Sequence, residues 1–209
     1  MSNILKFPGK TPRLAHKRST RRRADPDQLD LFASIPGRVA DLPLNPFDEA
    51  LLQEERGDYD RARNKYHEAI GEGESVPDAF CNLGIIEYQM GNRPAAIAAF
   101  AHALAQAPLH FNAHYNMGNM YLDAGEHALA RLHFELCAQS EPEFANAYYN
   151  LALACAMAGD FKPAINALKA YQTLATAEDR TRAADLQALL EQGLKRSDHS
   201  PSTEPVKPQ

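Results

Sequence analysis

A period of 34 residues governs this chain: Gly57, Gly91, Gly125 and Gly159 are spaced by it, and the positions around them return on it. Ala62, Ala96, Ala130 and Ala164 stand five residues after the glycines. Tyr66, Phe100, Phe134 and Leu168 come four further on, followed by Ala69, Ala103 and Cys137, with the frame fading at Tyr171. A fixed period of this size marks one supersecondary unit repeated, each copy unable to bury its apolar face alone. Arrays of this kind hold other molecules rather than transform them.

The residue types explain the unit. Small side chains at Gly84, Gly118, Ala96 and Ala130 let two antiparallel helices approach closely, and the aromatic one turn on fills the gap between units. A glycine just past a helix takes the left-handed conformation that closes its C-terminus. Asp58, Asn92, Glu126 and Asp160 follow the glycines, placed to cap or charge the next helix start. Pro94 and Pro163 fall in the first turn of second helices, where a missing amide costs little.

Leu83-Gly84, Met117-Gly118 and Leu151-Ala152, with Pro108 and Pro142, give the period a resemblance to the tetratricopeptide repeat family. The frames run 43–76, 77–110, 111–144 and 145–178, about two thirds of the chain. The resemblance implies an all-α fold, an α-solenoid of about four helix-turn-helix repeats. The first frame departs most, with Pro46 and Glu49 in place of an aromatic and a leucine and with Gly71 and Gly73 in its connection, and reads as a modified end unit. Thr176 with Asp179 three residues on makes a capping-box-like start for a C-terminal capping helix at 178–194, apolar at Ala183, Leu186, Leu189 and Leu190.

In such a solenoid the first helices line a concave groove, and equivalent positions form ladders along it. Asn82, Asn116 and Asn150 form one. A side-chain amide donates and accepts, which suits it to a peptide backbone of any sequence. Tyr88, Asn112, Tyr115, Asn119, Asn146 and Tyr149 fall on neighbouring positions and complete a candidate groove for a protein or peptide partner. The competing reading is that these asparagines belong to the repeat's own packing. Relatives that clamp the C-terminal carboxylates of heat-shock chaperones use Lys and Arg where this chain has Asp48, Cys81, Asn82, Asn112 and Asn116, so a carboxylate-clamp partner is not expected.

Charge separates the ends. Residues 1–24 carry eight Lys or Arg and no acid, leaving fourteen basic against twenty-seven acidic residues for the rest. The 1–42 segment reads as a basic, largely disordered arm. Eight phosphate contacts by such an arm give a log-log salt slope of about −7, so weak non-specific nucleic-acid contact through residues 6–23 stands beside the plainer reading of a solvated tail. Within the arm, Gln28-Leu29-Asp30-Leu31-Phe32 resembles the peptide by which bacterial replication and repair proteins dock on the DNA polymerase sliding clamp. That resemblance implies Leu31 and Phe32 entering an apolar pocket, with about 1.5–3 kcal/mol for each buried side chain, and Gln28 bonding at its rim. The alternative is a short helix whose Leu29, Phe32, Ala33 and Ile35 cover the end of the first repeat. The 195–209 tail reads as disorder.

Catalysis finds little footing. His67, His102, His127 and His133 are scattered, and only His110 and His114 have a spacing suited to a metal, with His110 in a loop. Gly71-Glu72-Gly73 follows a helix and lacks the Lys-Ser or Lys-Thr of a phosphate loop. Glu54 and Glu55 sit among solvated charges. The expectation is a non-enzymatic scaffold with no cofactor, no metal site and no catalytic residue. The longest apolar stretch, Leu151 to Ala158, is too short to cross a bilayer. Cys81, Cys137 and Cys155 cannot all pair, which suggests reduced thiols, with Cys81 the one reachable thiol, and the expected setting is cytoplasmic; a bacterial one is what the clamp-peptide resemblance implies.

Overall fold

The computed structural model describes residues 44–198. Among the described residues there are nine helices and no strand: α1 Pro46–Glu55, α2 Tyr59–Glu72, α3 Val76–Gln89, α4 Arg93–Gln106, α5 Phe111–Asp123, α6 His127–Ser140, α7 Ala145–Met157, α8 Phe161–Leu174 and α9 Ala177–Asp198. The fold class is the all-α, helix-turn-helix solenoid that the repeat implied. The chain packs as two compact units that part between Asn116 and Met117, inside α5.

The turns follow one pattern. Gly57, Gly91, Gly125 and Gly159 have φ between 74° and 83°. The residue after each donates its amide five positions back: Asp58 to Gln53, Asn92 to Glu87, Glu126 to Tyr121 and Asp160 to Cys155, at 2.8–2.9 Å. This is the Schellman closure, which satisfies carbonyls that the helix end would otherwise leave open. The helix starts are less uniform than the sequence suggested. Asp58 accepts the Arg61 amide at 3.2 Å and Asn92 the Ala95 amide at 3.5 Å. Glu126 and Asp160 make no side-chain cap bond. Glutamate is one methylene too long to fold onto its own helix start, and the Asp160 carboxylate turns instead to Arg131 at 3.2 Å.

The first unit is built on a small-against-large contact. A Cβ placed on Gly84 of α3 lies 2.6 Å from the Phe100 ring of α4, so only glycine admits that ring. Phe47, Ala50, Ala62, Tyr66, Ala69, Ala79, Leu83 and Ile86 form the apolar cluster joining α1, α2 and α3, with Phe47 edge-on to Tyr66 at 5.7 Å. In the modified first repeat Ala50 and Tyr66 thus take the places of Gly84 and Phe100.

The second unit repeats the contact: a Cβ on Gly118 lies 2.6 Å from Phe134. Its last pair, Ala152 and Leu168, exchanges a larger notch residue for a smaller knob, and both are buried with Cys155, Ala164, Ile165, Ala167, Ala183 and Leu190. Helix α9 starts one residue before the expected 178–194 span and runs four past it, to Asp198. The Thr176 hydroxyl accepts the Asp179 amide at 3.3 Å and donates to that carboxylate at 2.8 Å. Of the four apolar positions expected to face the stack, Ala183 and Leu190 are buried and Leu186 packs against them, whereas Leu189 is 50% exposed.

Candidate functional site

Asn82, Asn116 and Asn150 all sit on first helices, and all three are buried. Their amides are engaged inside the protein. Asn82 Nδ2 donates to the Tyr66 hydroxyl at 2.9 Å, and that hydroxyl donates to Glu54 Oε2 at 2.7 Å, a relay crossing from α3 through α2 to α1. Asn116 Nδ2 donates to its own helix at the Asn112 carbonyl, 2.8 Å. Asn150 Nδ2 donates to Asn119 Oδ1 at 2.8 Å. A buried amide without such bonds would lose its water at a cost of about 1–3 kcal/mol.

Neighbouring positions divide by depth. Asn112, Tyr115 and Asn119 are buried, with Tyr115 at zero exposure. Tyr88 of α3 and Asn146 and Tyr149 of α7 remain half-buried. Tyr149 lies 5.2 Å from Tyr171 and packs on the second unit's core. Cys81 is not the reachable thiol that the sequence suggested. It is fully buried beside Asn116, and burial together with the nearby Asp78 carboxylate pushes its pKa well up. Burial likewise pushes Cys137 up to about 12 and Cys155 up to about 11. All three thiols are free and buried.

Tyr66 and Glu54 form a polar centre in the first unit. Burial pushes the Glu54 carboxyl up, opposed in part by the Tyr66 bond. Burial and the adjacent Glu54 charge hold the Tyr66 hydroxyl protonated. The relay ties three helices together and is a packing device by its geometry. One sequence signal pointed to it: Tyr66 is the single hydroxylated residue in an otherwise apolar series of Phe100, Phe134 and Leu168.

Four of the described histidines make contacts within the fold. His110 Nδ1 accepts the Ala113 amide at 3.2 Å, capping α5, while its Nε2 faces Asp78 Oδ1 at 2.9 Å. His114 Nε2 donates to the Pro108 carbonyl at 3.0 Å. His102 stacks on Phe80 and His133 on Tyr121. Among the described residues no group of three His, Cys, Asp or Glu side chains is placed to hold a metal ion, and no helix is long and apolar enough to cross a membrane. In the second unit an open hollow of about 310 Å³ is lined by Glu135, Tyr148, Leu151 and Cys155 with residues of α8. Gln28-Leu29-Asp30-Leu31-Phe32, the basic residues within 6–23 and the 199–209 part of the tail lie outside the described residues.

Comparison with known proteins agrees with this architecture. The tetratricopeptide repeat family model matches residues 47–89 and 81–140. A crystal structure of MamA superposes with a TM-score of 0.61 at 20% identity, covering 71% of this chain and 86% of that one. MamA from Desulfovibrio magneticus RS-1, from position 41 to its end, gives 0.56 at 23% identity over 74% and 96% of the two chains. Both likenesses are of fold. A Drosophila melanogaster BBSome complex member, a BBS4 homologue, is 25% identical over 152 residues, 73% of this chain. This chain spans 31% of that relative's length.

Proposed function

We propose, from the likeness of residues 47–140 to the tetratricopeptide repeat, that the chain is a non-enzymatic scaffold that holds a polypeptide against the inner-helix faces of its repeats. The observation that carries this reading is the recurrence of one notch, Gly84 under Phe100 and again Gly118 under Phe134. It gives each unit a first helix set in the same way against its partner helix, so equivalent residues return on the same side. To that side this reading assigns Asn82, Tyr88, Asn112, Tyr115 and Asn116 in the first unit. In the second unit it assigns Asn119, Asn146, Tyr149 and Asn150. Half-buried Tyr88, Asn146 and Tyr149 offer ring surface and amide bonding to an incoming chain, while the buried asparagines hold the helices that present them. The Drosophila relative, named as a member of a complex, is in keeping with an assembly function. Three unpaired thiols support a reducing, cytoplasmic setting.

Selection of a displayed peptide library on the immobilised full chain tests this reading. Peptides enriched at about micromolar affinity, and lost with Tyr88→Ala and Asn146→Ala together, are the expected result. An unenriched library, or peptides indifferent to both substitutions, would remove the inner faces as the binding surface.

A further inference from the structure

Glu54 stands 34 residues before Tyr88, so the period that assigns Tyr88 to the inner side of α3 assigns a carboxyl to the matching place on α1. The relay from Asn82 through Tyr66 ends on its Oε2. The carboxyl is half-buried. Among the described residues Tyr66 is its hydrogen-bond donor, the charged group acting on it is Glu55, of like sign, and no Lys, Arg or His pairs with it. Of the four basic residues between Pro46 and Gln89, three are held by other acids: Arg61 by Asp58 at 3.3 Å, Arg63 by Glu87 at 3.0 Å, and Lys65 by both Glu49 and Glu68 at 2.8 Å. The last turn of α1 contains Glu54 and Glu55 and no base, so two carboxyl groups stand at the negative end of a helix dipole. Eleven acidic residues face four basic ones over the same stretch. A partly buried carboxylate is stabilised by a paired cation, and a negative field steers cations toward it.

We propose that the first unit takes a Lys or Arg side chain of the partner polypeptide, with Glu54 as its counter-ion. The inference rests on the binding reading above and names the partner's chemistry, basic where it meets α1. The Tyr66 hydroxyl, donating into Oε2, fixes the aim of the carboxyl and leaves Oε1 for the cation. A positive charge there also offsets the repulsion from Glu55 and complements the end of α1. Protons compete with it. Burial raises the Glu54 pKa, so the free protein keeps that proton to higher pH than an ordinary carboxyl does. The cation requires the ionised form, and its binding therefore strengthens as pH rises from 4.5 through the raised value. The titratable groups that face Glu54 are Glu55 on its own helix, Tyr66 on α2 and Cys81 on α3, and the last two stay protonated.

Fluorescein-labelled hexalysine, titrated with the full chain by fluorescence anisotropy at about 0.15 M salt, tests the site under conditions that screen distant surface charge. Two variants lose the same charge at adjacent positions. Glu54→Gln keeps an acceptor for Tyr66, and Glu55→Gln alters the exposed neighbour. The expected result is a Kd raised about ten-fold by Glu54→Gln and less than about two-fold by Glu55→Gln, with the parent's advantage over Glu54→Gln growing as pH rises above 4.5. Equal losses in the two variants would show attraction to the overall field alone and overturn the proposal, as would no loss in either or a ratio indifferent to pH. The two readings fail separately. Library peptides that depend on Tyr88 and Asn146 but not on Glu54 leave the binding surface standing and sink the cation site. A titration that singles out Glu54 beside an unenriched library does the reverse.

Discussion

Asn82 in the first unit and Asn150 in the second stand two periods apart, at the same place in their repeats, and their amides are satisfied in different ways. Asn82 donates a hydrogen bond to the Tyr66 hydroxyl, which donates one to Glu54, so the first unit's seam ends in a carboxyl that can titrate. Asn150 bonds directly to the Asn119 amide, so this bond of the second unit's seam joins two groups with no charge to gain or lose. Backbone geometry recurs because the glycine turn and the small-against-large notch recur. The polar seam does not, because its partner is whatever the preceding repeat happens to place opposite. A buried amide constrains its neighbour to complete a hydrogen bond, and several side chains meet that condition.

The strongest way to break this comparison is to attack the part held to be common. Phe100→Ala and Phe134→Ala should each cost about 3–5 kcal/mol in urea unfolding, since both empty the same notch; a large inequality would show that the two units are not built alike. Importing the last repeat's solution sharpens the point. Gly84→Ala alone should cost about 1–3 kcal/mol through its clash with Phe100. Combined with Phe100→Leu it should cost clearly less than the two single changes summed, as residues in contact do. Simple additivity would mean that the pair does not act together.

Next come the seams themselves. Asn82→Ala and Asn150→Ala each remove a buried hydrogen bond and should cost about 1–3 kcal/mol, read as a drop of about 2–4 °C in Tm per kcal/mol. An unchanged Tm for either would show that its amide is not engaged as the structure has it. A subtler difference separates the units with pH. Glu54 binds its proton more tightly folded than at its ordinary value of 4.5, so the first unit loses stability as pH rises through 4.5 toward the raised value. Glu54→Gln keeps an acceptor for Tyr66 and removes that loss. Its Tm advantage over the parent should grow between about pH 4 and pH 7, and a difference independent of pH would refute the titrating seam. The smallest effect is at the far end: Thr176→Ala should cost about 1 kcal/mol and speed hydrogen exchange in the first turn of α9 alone.

What could be read in the sequence is what the period controls. The left-handed turns at Gly57, Gly91, Gly125 and Gly159 and the pairing of Gly84 with Phe100 follow from residue size and backbone freedom, which are local properties. What could not be read depends on a partner supplied by another helix. The amide of Asn82 was open to a ligand or to packing until Tyr66 was found against it. Asp160 looked like a cap until Arg131 drew its carboxylate away, and Leu189 fitted the helical period yet lies just beyond the edge of the buried stripe. Cys81 looked reachable because the period places it on the inner side of α3, and the period carries no information about what lies over that side.

The turn glycines have a consequence for synthesis. A Cβ built on any of the four meets nothing within 4 Å, so what bars other residues there is the sign of φ and not a lack of room. A mirror-image alanine prefers that sign. The chain therefore marks, once in every period, a place where an amino acid of opposite hand would settle in comfortably and where its natural counterpart would strain.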